Sequence, residues 1–250
     1  MKLESKKLPT GVLSYIGSLD NPHMILFIGR SSAYKYSTPL PNLIKELNVK
    51  KYTLVWFEST NFTINSLLND QFNRSVGKIF RLLPESLTSI ETIGRKLFKI
   101  CSALARPTYW KYLASYLSDQ IDYQSKEYEK VIISLGTNKK MYILSHSAGG
   151  RVAVDLAKLI TIRKLICFGY PFKHPNQPAD KRRTNPLMSI EKPFLIIQGN
   201  EDEYGGWEVT GQYYLSEKIE FLLVKADHEY DQLENKQWVL VNNRIRNFVD

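Results

Sequence analysis

The stretch that most constrains this chain is KKMYILSHSAGGRVAVD, residues 139–155. Residues 141–144 form an apolar run of strand length. Residues 150–159 show helical spacing, with Val152, Leu156 and Leu159 on one side. Between them stands Ser145-His146-Ser147-Ala148-Gly149, a relaxed form of the G-x-S-x-G elbow in which Ser145 replaces the first glycine. A strand that turns straight into a helix forces the residue at the corner into a strained backbone conformation, so its neighbours must be small. Ala148 and Gly149 meet that condition. The pattern predicts Ser147 at the carboxyl end of a strand, its hydroxyl over helical N–H groups that favour negative charge. Small residues here would also serve close strand–helix packing alone, so the rest of the chain must supply the partners of a nucleophile.

The 250 residues, 43% of them hydrophobic, suit one α/β domain over 1–250 with a sizeable core. The net charge of +9 is spread over scattered lysines. The densest cluster, Lys181-Arg182-Arg183, is too short for a binding arm, so a basic surface is expected and a nucleic-acid partner is not. There is no run of about 18 apolar residues, so no membrane span is expected. The start, MKLESKKLPT, lacks the apolar core of a secretory signal. Cys101 and Cys167 lie in apolar surroundings and read as buried free thiols, which points to a reducing, cytoplasmic location.

In chain order, residues 11–16 and 23–28 read as strands separated by a Ser-Leu-Asp-Asn-Pro turn. Gly29-Arg30-Ser31-Ser32-Ala33 then forms a small-residue loop, and residues 40–47 read as a short helix begun by prolines. KYTLVWFE, residues 51–58, has the composition of a central strand. Residues 59–106 alternate Asn- and Ser-rich pieces with amphipathic ones, notably 76–83 and 87–104, and read as a helical insertion or cap. Beyond Pro107, residues Trp110, Leu113, Leu117 and Ile121 predict one buried helical face, and a helical pattern runs on to a C-cap at Gly136. Strands follow at 163–169, 193–199 and 219–224, and an amphipathic helix closes the chain over 233–249. This alternation implies an α/β fold, a mostly parallel sheet with helices on both faces.

A serine hydroxyl needs a base within hydrogen-bond reach, and the base needs an orienting carboxylate. His23 opens a strand and falls at the opposite edge of the sheet. His146 is beside Ser147 and is expected to point elsewhere, and His174 lies in a proline-rich loop. His228 follows the strand at 219–224, and loops after parallel strands gather at the carboxyl edge beside the elbow. The carboxylate is expected in Gly199-Asn200-Glu201-Asp202. Asp202 has the fitting spacing, with Glu201 and Glu203 as neighbours. The order Ser147, Asp202, His228 is that of α/β-hydrolases.

GYPFKHPNQP, PFLIIQGNEDEYG and the elbow continuation GGRVA carry a narrower resemblance. These segments resemble the predicted α/β-hydrolases related to testis-expressed protein 30 and to subunit 3 of the NSL chromatin complex, near the dienelactone hydrolases. The resemblance covers residues 141 to about 230 well and 24–58 loosely. It implies the α/β-hydrolase fold, Ser147 as nucleophile, Asp202 as acid and His228 as base. The His-Gly-x-Gly-like oxyanion stretch of that group stands here as Ile28-Gly29-Arg30-Ser31, without the histidine and one glycine.

These readings converge on a serine hydrolase, carboxylesterase-like, that acts on a small-molecule ester or related acyl substrate. His228 would deprotonate Ser147, Asp202 would orient His228, and the backbone N–H groups of Ala148 and of Arg30 or Ser31 would hold the oxyanion. No metal or organic cofactor is expected, because the histidines and cysteines lack ligand spacing. The alternative is a catalytically inactive hydrolase fold used for protein contacts, which the basic surface and the altered oxyanion stretch motivate.

Overall fold

The computed structural model describes residues 2–29, 51–76 and 88–250. The expected helix at 40–47, most of the amphipathic piece at 76–83, and Arg30 and Ser31 lie outside the described residues.

The strands are β1 (Glu4–Leu8), β2 (Gly11–Ile16), β3 (His23–Ile28), β4 (Thr53–Ser59), β5 (Lys140–His146), β6 (Ile162–Phe168), β7 (Phe194–Gly199) and β8 (Ile219–Val224). They form one sheet in the order β1-β2-β4-β3-β5-β6-β7-β8. β1 and β2 run antiparallel at one edge, and β4, β3 and β5 to β8 are parallel. β1 is an addition to the expected strands. Its polar sequence ESKKL has no apolar alternation, because an edge strand is solvated and its lysines guard the open edge.

Alternate residues of the central strands feed two separate cores. Met24, Leu26, Ile143, Leu165 and Ile196 point to one face, where the helices α4 (Gln120–Leu135) and α5 (Ala148–Leu156) cover them with Val131, Ile132, Val152 and Leu156. Ile25, Phe27, Leu144, Ile166 and Ile197 point to the other. There Trp238, Val241, Ile245 and Phe248 of the closing helix α6 (Asn235–Val249) pack on them. The strands read as continuous apolar runs because both of their faces are buried.

Helices α1 (Thr60–Ser75), α2 (Thr88–Leu104) and α3 (Trp110–Leu117) build a smaller core of their own from Ile64, Leu68, Ala103 and Tyr112. Ser59 caps α1, its hydroxyl accepting the Phe62 N–H at 3.1 Å. The Arg95 guanidinium of α2 lies 4.6 Å from the centre of the Phe72 ring of α1. No helix among the described residues is long and apolar enough to cross a membrane.

Two expectations are corrected here. The stripe Trp110, Leu113, Leu117, Ile121 is not one buried face, since Trp110 is 59% and Leu117 69% exposed. The helix breaks at Ser118, and Asp119 caps a new one by accepting the Ile121 N–H at 2.9 Å, so the 110–121 register is not continuous. Tyr112 and Ser115 are the buried positions of α3. Cys101, expected inside, is exposed. It shares a face of α2 with Leu97 and Leu104, both exposed, while Lys99 and Ala103 turn inward.

Candidate active site

Three strand ends build the site. β5 stops at His146, α5 starts at Ala148, and Ser147 between them has φ 55° and ψ −127°. This is the strained corner that the small-residue pattern demands. Its N–H donates to the Phe168 carbonyl at 2.9 Å, which ties the corner to the end of β6. A Cβ on Gly149 would come 2.3 Å from the Ile28 carbonyl oxygen, so only glycine lets α5 approach β3 this closely. Ser145 sits where the motif usually has glycine. It is buried and donates its hydroxyl to the Ile166 carbonyl at 2.9 Å, so the substitution carries its own hydrogen bond.

The structure brings Ser147, His228 and Asp202 together across 81 and 26 residues of sequence. His228 Nε2 lies 2.7 Å from Ser147 Oγ, and His228 Nδ1 lies 3.0 and 2.9 Å from the two carboxylate oxygens of Asp202. Ser147, Asp202 and His228 are 2%, 3% and 5% exposed. The arrangement fits a neutral imidazole whose Nδ1–H donates to Asp202 and whose Nε2 accepts the serine proton. Register explains the meeting, since β7 and β8 end side by side at Gly199 and Val224 and Asp202 and His228 leave from those ends.

Asp202 is fixed from two further sides. Gln198 Nε2 donates to its Oδ2 at 2.9 Å, and the Tyr204 N–H donates to its Oδ1 at 2.8 Å. The loop of His228 is equally held. Asp227 Oδ1 accepts the N–H groups of Glu229 and Tyr230, both at 3.0 Å. Tyr230, fully buried at φ 60°, donates its hydroxyl to the Ile197 carbonyl at 2.7 Å and accepts the Gly199 N–H at 3.1 Å. Burial, with Asp202 adding to it, pushes the Tyr230 phenol well above its ordinary value, so it stays a neutral anchor. His146 turns to the loop of His228. Its Nε2–H donates to the His228 backbone carbonyl at 2.9 Å. The Tyr204 ring lies against the His228 imidazole, with centroids 4.4 Å apart.

Of the other predicted groups, the Ala148 N–H opens α5 and has no intrahelical acceptor. His23 is at the amino end of the interior strand β3, opposite the strand ends that build the site, and His174 packs edge-on against Tyr204. Cys167 lies under the elbow, and burial pushes its thiol up to about 12, so it is no rival nucleophile. Among the described residues no group of three or more His, Cys, Asp or Glu side chains is placed to hold a metal ion.

A family model described as an alpha/beta hydrolase domain matches residues 115–247, more than half of the chain. The chain belongs to the alpha/beta hydrolase family. The match is to this broad family rather than to the narrower group that the proline-rich loop resembles. No curated protein matches the chain. Among solved structures it is similar to a thioesterase domain from the curacin biosynthetic pathway, with 13% identity over 98% of this chain and 99% of that one and a TM-score of 0.58. It is also similar to an a/b serine hydrolase without lid from Xanthomonas campestris (13% identity, 99% and 94% covered, TM-score 0.56). A third is the esterase domain of a Rhodothermus marinus protein (12% identity, 98% and 96% covered, TM-score 0.52). At such identities the likeness is one of fold.

Within this alpha/beta hydrolase, Gln198, Tyr204, Tyr230 and Gly169 are the site residues to which sequence reasoning gave no role, and His146 is one that it set aside. Gly169 left a local signal, a glycine ending a strand next to the elbow strand, and Gln198 and Tyr204 lie in the segment PFLIIQGNEDEYG that carries the resemblance. A Cβ on Gly169 would come 3.1 Å from both Asp202 Oδ2 and His228 Nδ1, at a backbone φ of 57°.

Proposed function

We propose that this alpha/beta hydrolase is a serine hydrolase that cleaves an ester or related acyl bond through Ser147, His228 and Asp202. The observation that carries the reading is the continuous hydrogen-bonded line from Ser147 Oγ through His228 to Asp202, in a buried setting at the strained corner. His228 Nε2 takes the serine proton as Oγ attacks the acyl carbonyl, and Asp202 steadies the imidazolium that forms. The Ala148 N–H, at the positive end of α5, holds one side of the oxyanion. Its second donor is proposed at Arg30 or Ser31. Collapse of the tetrahedral species expels the alcohol, protonated by His228, and leaves an acyl-enzyme. His228 then deprotonates a water that releases the acid. The names of the similar structures, a thioesterase domain and an esterase domain, support acyl chemistry of this kind.

The test is hydrolysis of p-nitrophenyl esters of increasing acyl length, together with labelling by a fluorophosphonate probe. Turnover and stoichiometric labelling at Ser147 are the expected result. A folded protein that neither labels nor turns over any ester sinks the reading in favour of a non-catalytic module.

Gly169→Ala probes the geometry without replacing a reacting group. The added methyl must push Asp202 or His228 by a few tenths of an ångström. The expected loss in kcat/KM is about tenfold to a hundredfold, with roughly 1 kcal/mol lost in urea unfolding from the left-handed backbone. An unchanged kcat/KM would show that the pair tolerates displacement.

A further inference from the structure

A cavity of about 790 Å³ lies beside the elbow, within the size range of small-molecule sites. Its floor includes Ala148, Gly149 and Gly29, the side of Ser147 on which the oxyanion is proposed. Helices α1, α2, α3 and α4 wall it, with aromatic surface from Phe62, Tyr112, Tyr116 and Tyr128. An apolar acyl pocket needs nothing more. This one also contains a lysine where the helix pattern calls for an apolar residue.

Lys99 is on the inward face of α2, in register with Ile100 and Ala103, and is only 7% exposed. Leu97, Ile93 and Leu104 of the same helix face outward instead. Burying an ammonium while leaving three aliphatic side chains in water runs against the hydrophobic effect, unless the charge has a task. Its partners among the described residues are few. Lys99 Nζ donates to Asn65 Oδ1 at 2.9 Å and lies 5.6 Å from the centre of the Tyr116 ring. Asn65 Oδ1 is shared with the Tyr112 hydroxyl at 3.0 Å. An ammonium has three N–H donors, and among the described residues no carboxylate lies within ion-pair distance of this one.

The acidic side chains of the cavity do not answer the charge. Glu127 of α4 is itself buried, and burial pushes its carboxyl above its ordinary value, toward the neutral form, against the opposing pull of Lys130, Tyr123 and Lys111. Glu58 accepts from the Thr63 hydroxyl at 3.2 Å. Burial and the nearby Arg95 both press the Lys99 ammonium below its ordinary value, a cost that an anionic guest would offset. Lys96 adds a second positive charge to the lining.

We propose that this cavity accepts an acyl chain ending in a carboxylate, and that Lys99 is the residue that selects it. The chain would run from the acyl carbon at Ser147 across the aromatic walls, and its terminal carboxylate would take the N–H donors of Lys99 that no described residue accepts. Asn65 and Tyr112 hold the ammonium in place. The inference rests on the serine-hydrolase reading and names the substrate class for that same site.

Two measurements test it. The first compares kcat/KM for the p-nitrophenyl monoesters of adipic and suberic acid with that for p-nitrophenyl hexanoate and octanoate. A preference of about tenfold or more for the carboxylate-ended esters is expected in the wild type, as charged hydrogen bonds commonly give. In Lys99→Met the ratio should collapse toward one. Lys99→Gln serves as a second neutral variant should methionine repack the cavity. No preference in the wild type, or a preference that survives both substitutions, overturns the proposal. The second is calorimetric titration of Ser147→Ala with adipate and with hexanoate, which needs no turnover. Adipate binding that disappears in the Ser147→Ala, Lys99→Met double variant supports the site even if no ester is cleaved, and in that case only the hydrolase reading falls. Esters cleaved through Ser147 with no carboxylate preference leave the hydrolase reading standing and remove this one. Neither turnover nor adipate binding removes both.

Discussion

Ser147→Ala is expected to lower ester hydrolysis by about a thousandfold or more and to abolish fluorophosphonate labelling. The size follows from the architecture. Oγ is the proposed nucleophile of the line Ser147–His228–Asp202, and the buried Cys167 thiol beneath it, raised to about 12, offers no substitute. Residual turnover would come from the Ala148 N–H and the cavity alone. The fold should survive the change. The Ser147 backbone contacts to Phe168 and Gly150 do not use the side chain, so urea unfolding should shift by less than about 1 kcal/mol. Full activity in this variant would move the nucleophile elsewhere and end the proposed mechanism. Loss of activity together with loss of folding would be resolved by Ser147→Gly, which keeps the corner and removes the hydroxyl.

The second large effect belongs to Asp202→Asn. The carboxylate receives three kinds of donor at once: His228 Nδ1–H, the Gln198 amide and the Tyr204 N–H. An asparagine has one acceptor oxygen and an NH₂ group that would face donors. If its oxygen stays with Gln198 or Tyr204, its NH₂ turns to Nδ1 and can be satisfied only by the tautomer that carries the proton on Nε2. That imidazole presents a proton to Ser147 and cannot accept one. A fall of about ten-thousandfold in kcat is expected at neutral pH, with the three backbones in place. The discriminating measurement is the pH–rate profile. Because the general base is lost rather than displaced, partial recovery at alkaline pH is expected, as hydroxide replaces the imidazole. An Asp202→Asn protein within tenfold of wild type at neutral pH would show that Asp202 is a structural acid only.

Much of the architecture was legible in the chain. The alternation of apolar strands and amphipathic helices places β2 to β8, α2, α5 and α6 within a few residues of where they lie, because those segments carry their own periodicity. The strand β1 was not legible, since a solvated edge strand has no buried face to leave a pattern. The 110–121 stripe misled for a related reason. Its spacing continues through a break that the Asp119 cap creates, so Trp110 and Leu117 keep the spacing of a buried face without being buried.

The same division runs through the site. The strained corner at Ser147 was readable because its demands are local: small neighbours, a strand before and a helix after. The meeting of Ser147, Asp202 and His228 was readable because parallel strands bring their following loops to one edge, whatever the loops contain. What surrounds those three was decided by packing alone. Gln198 faces Asp202 because β7 points that residue across the loop it leads into. His146 reaches the His228 carbonyl because β5 and the loop after β8 are adjacent only in space. Lys99 is in the cavity because α1 and α3 set the rotation of α2, against the preference of its own leucines. Local conformation and strand order act over a few residues, so the chain by itself determined the corner, the sheet and the order of its loops. The direction in which a side chain points depends on neighbours tens of residues away, so only the tertiary structure decided the partners of Asp202 and the charge in the pocket.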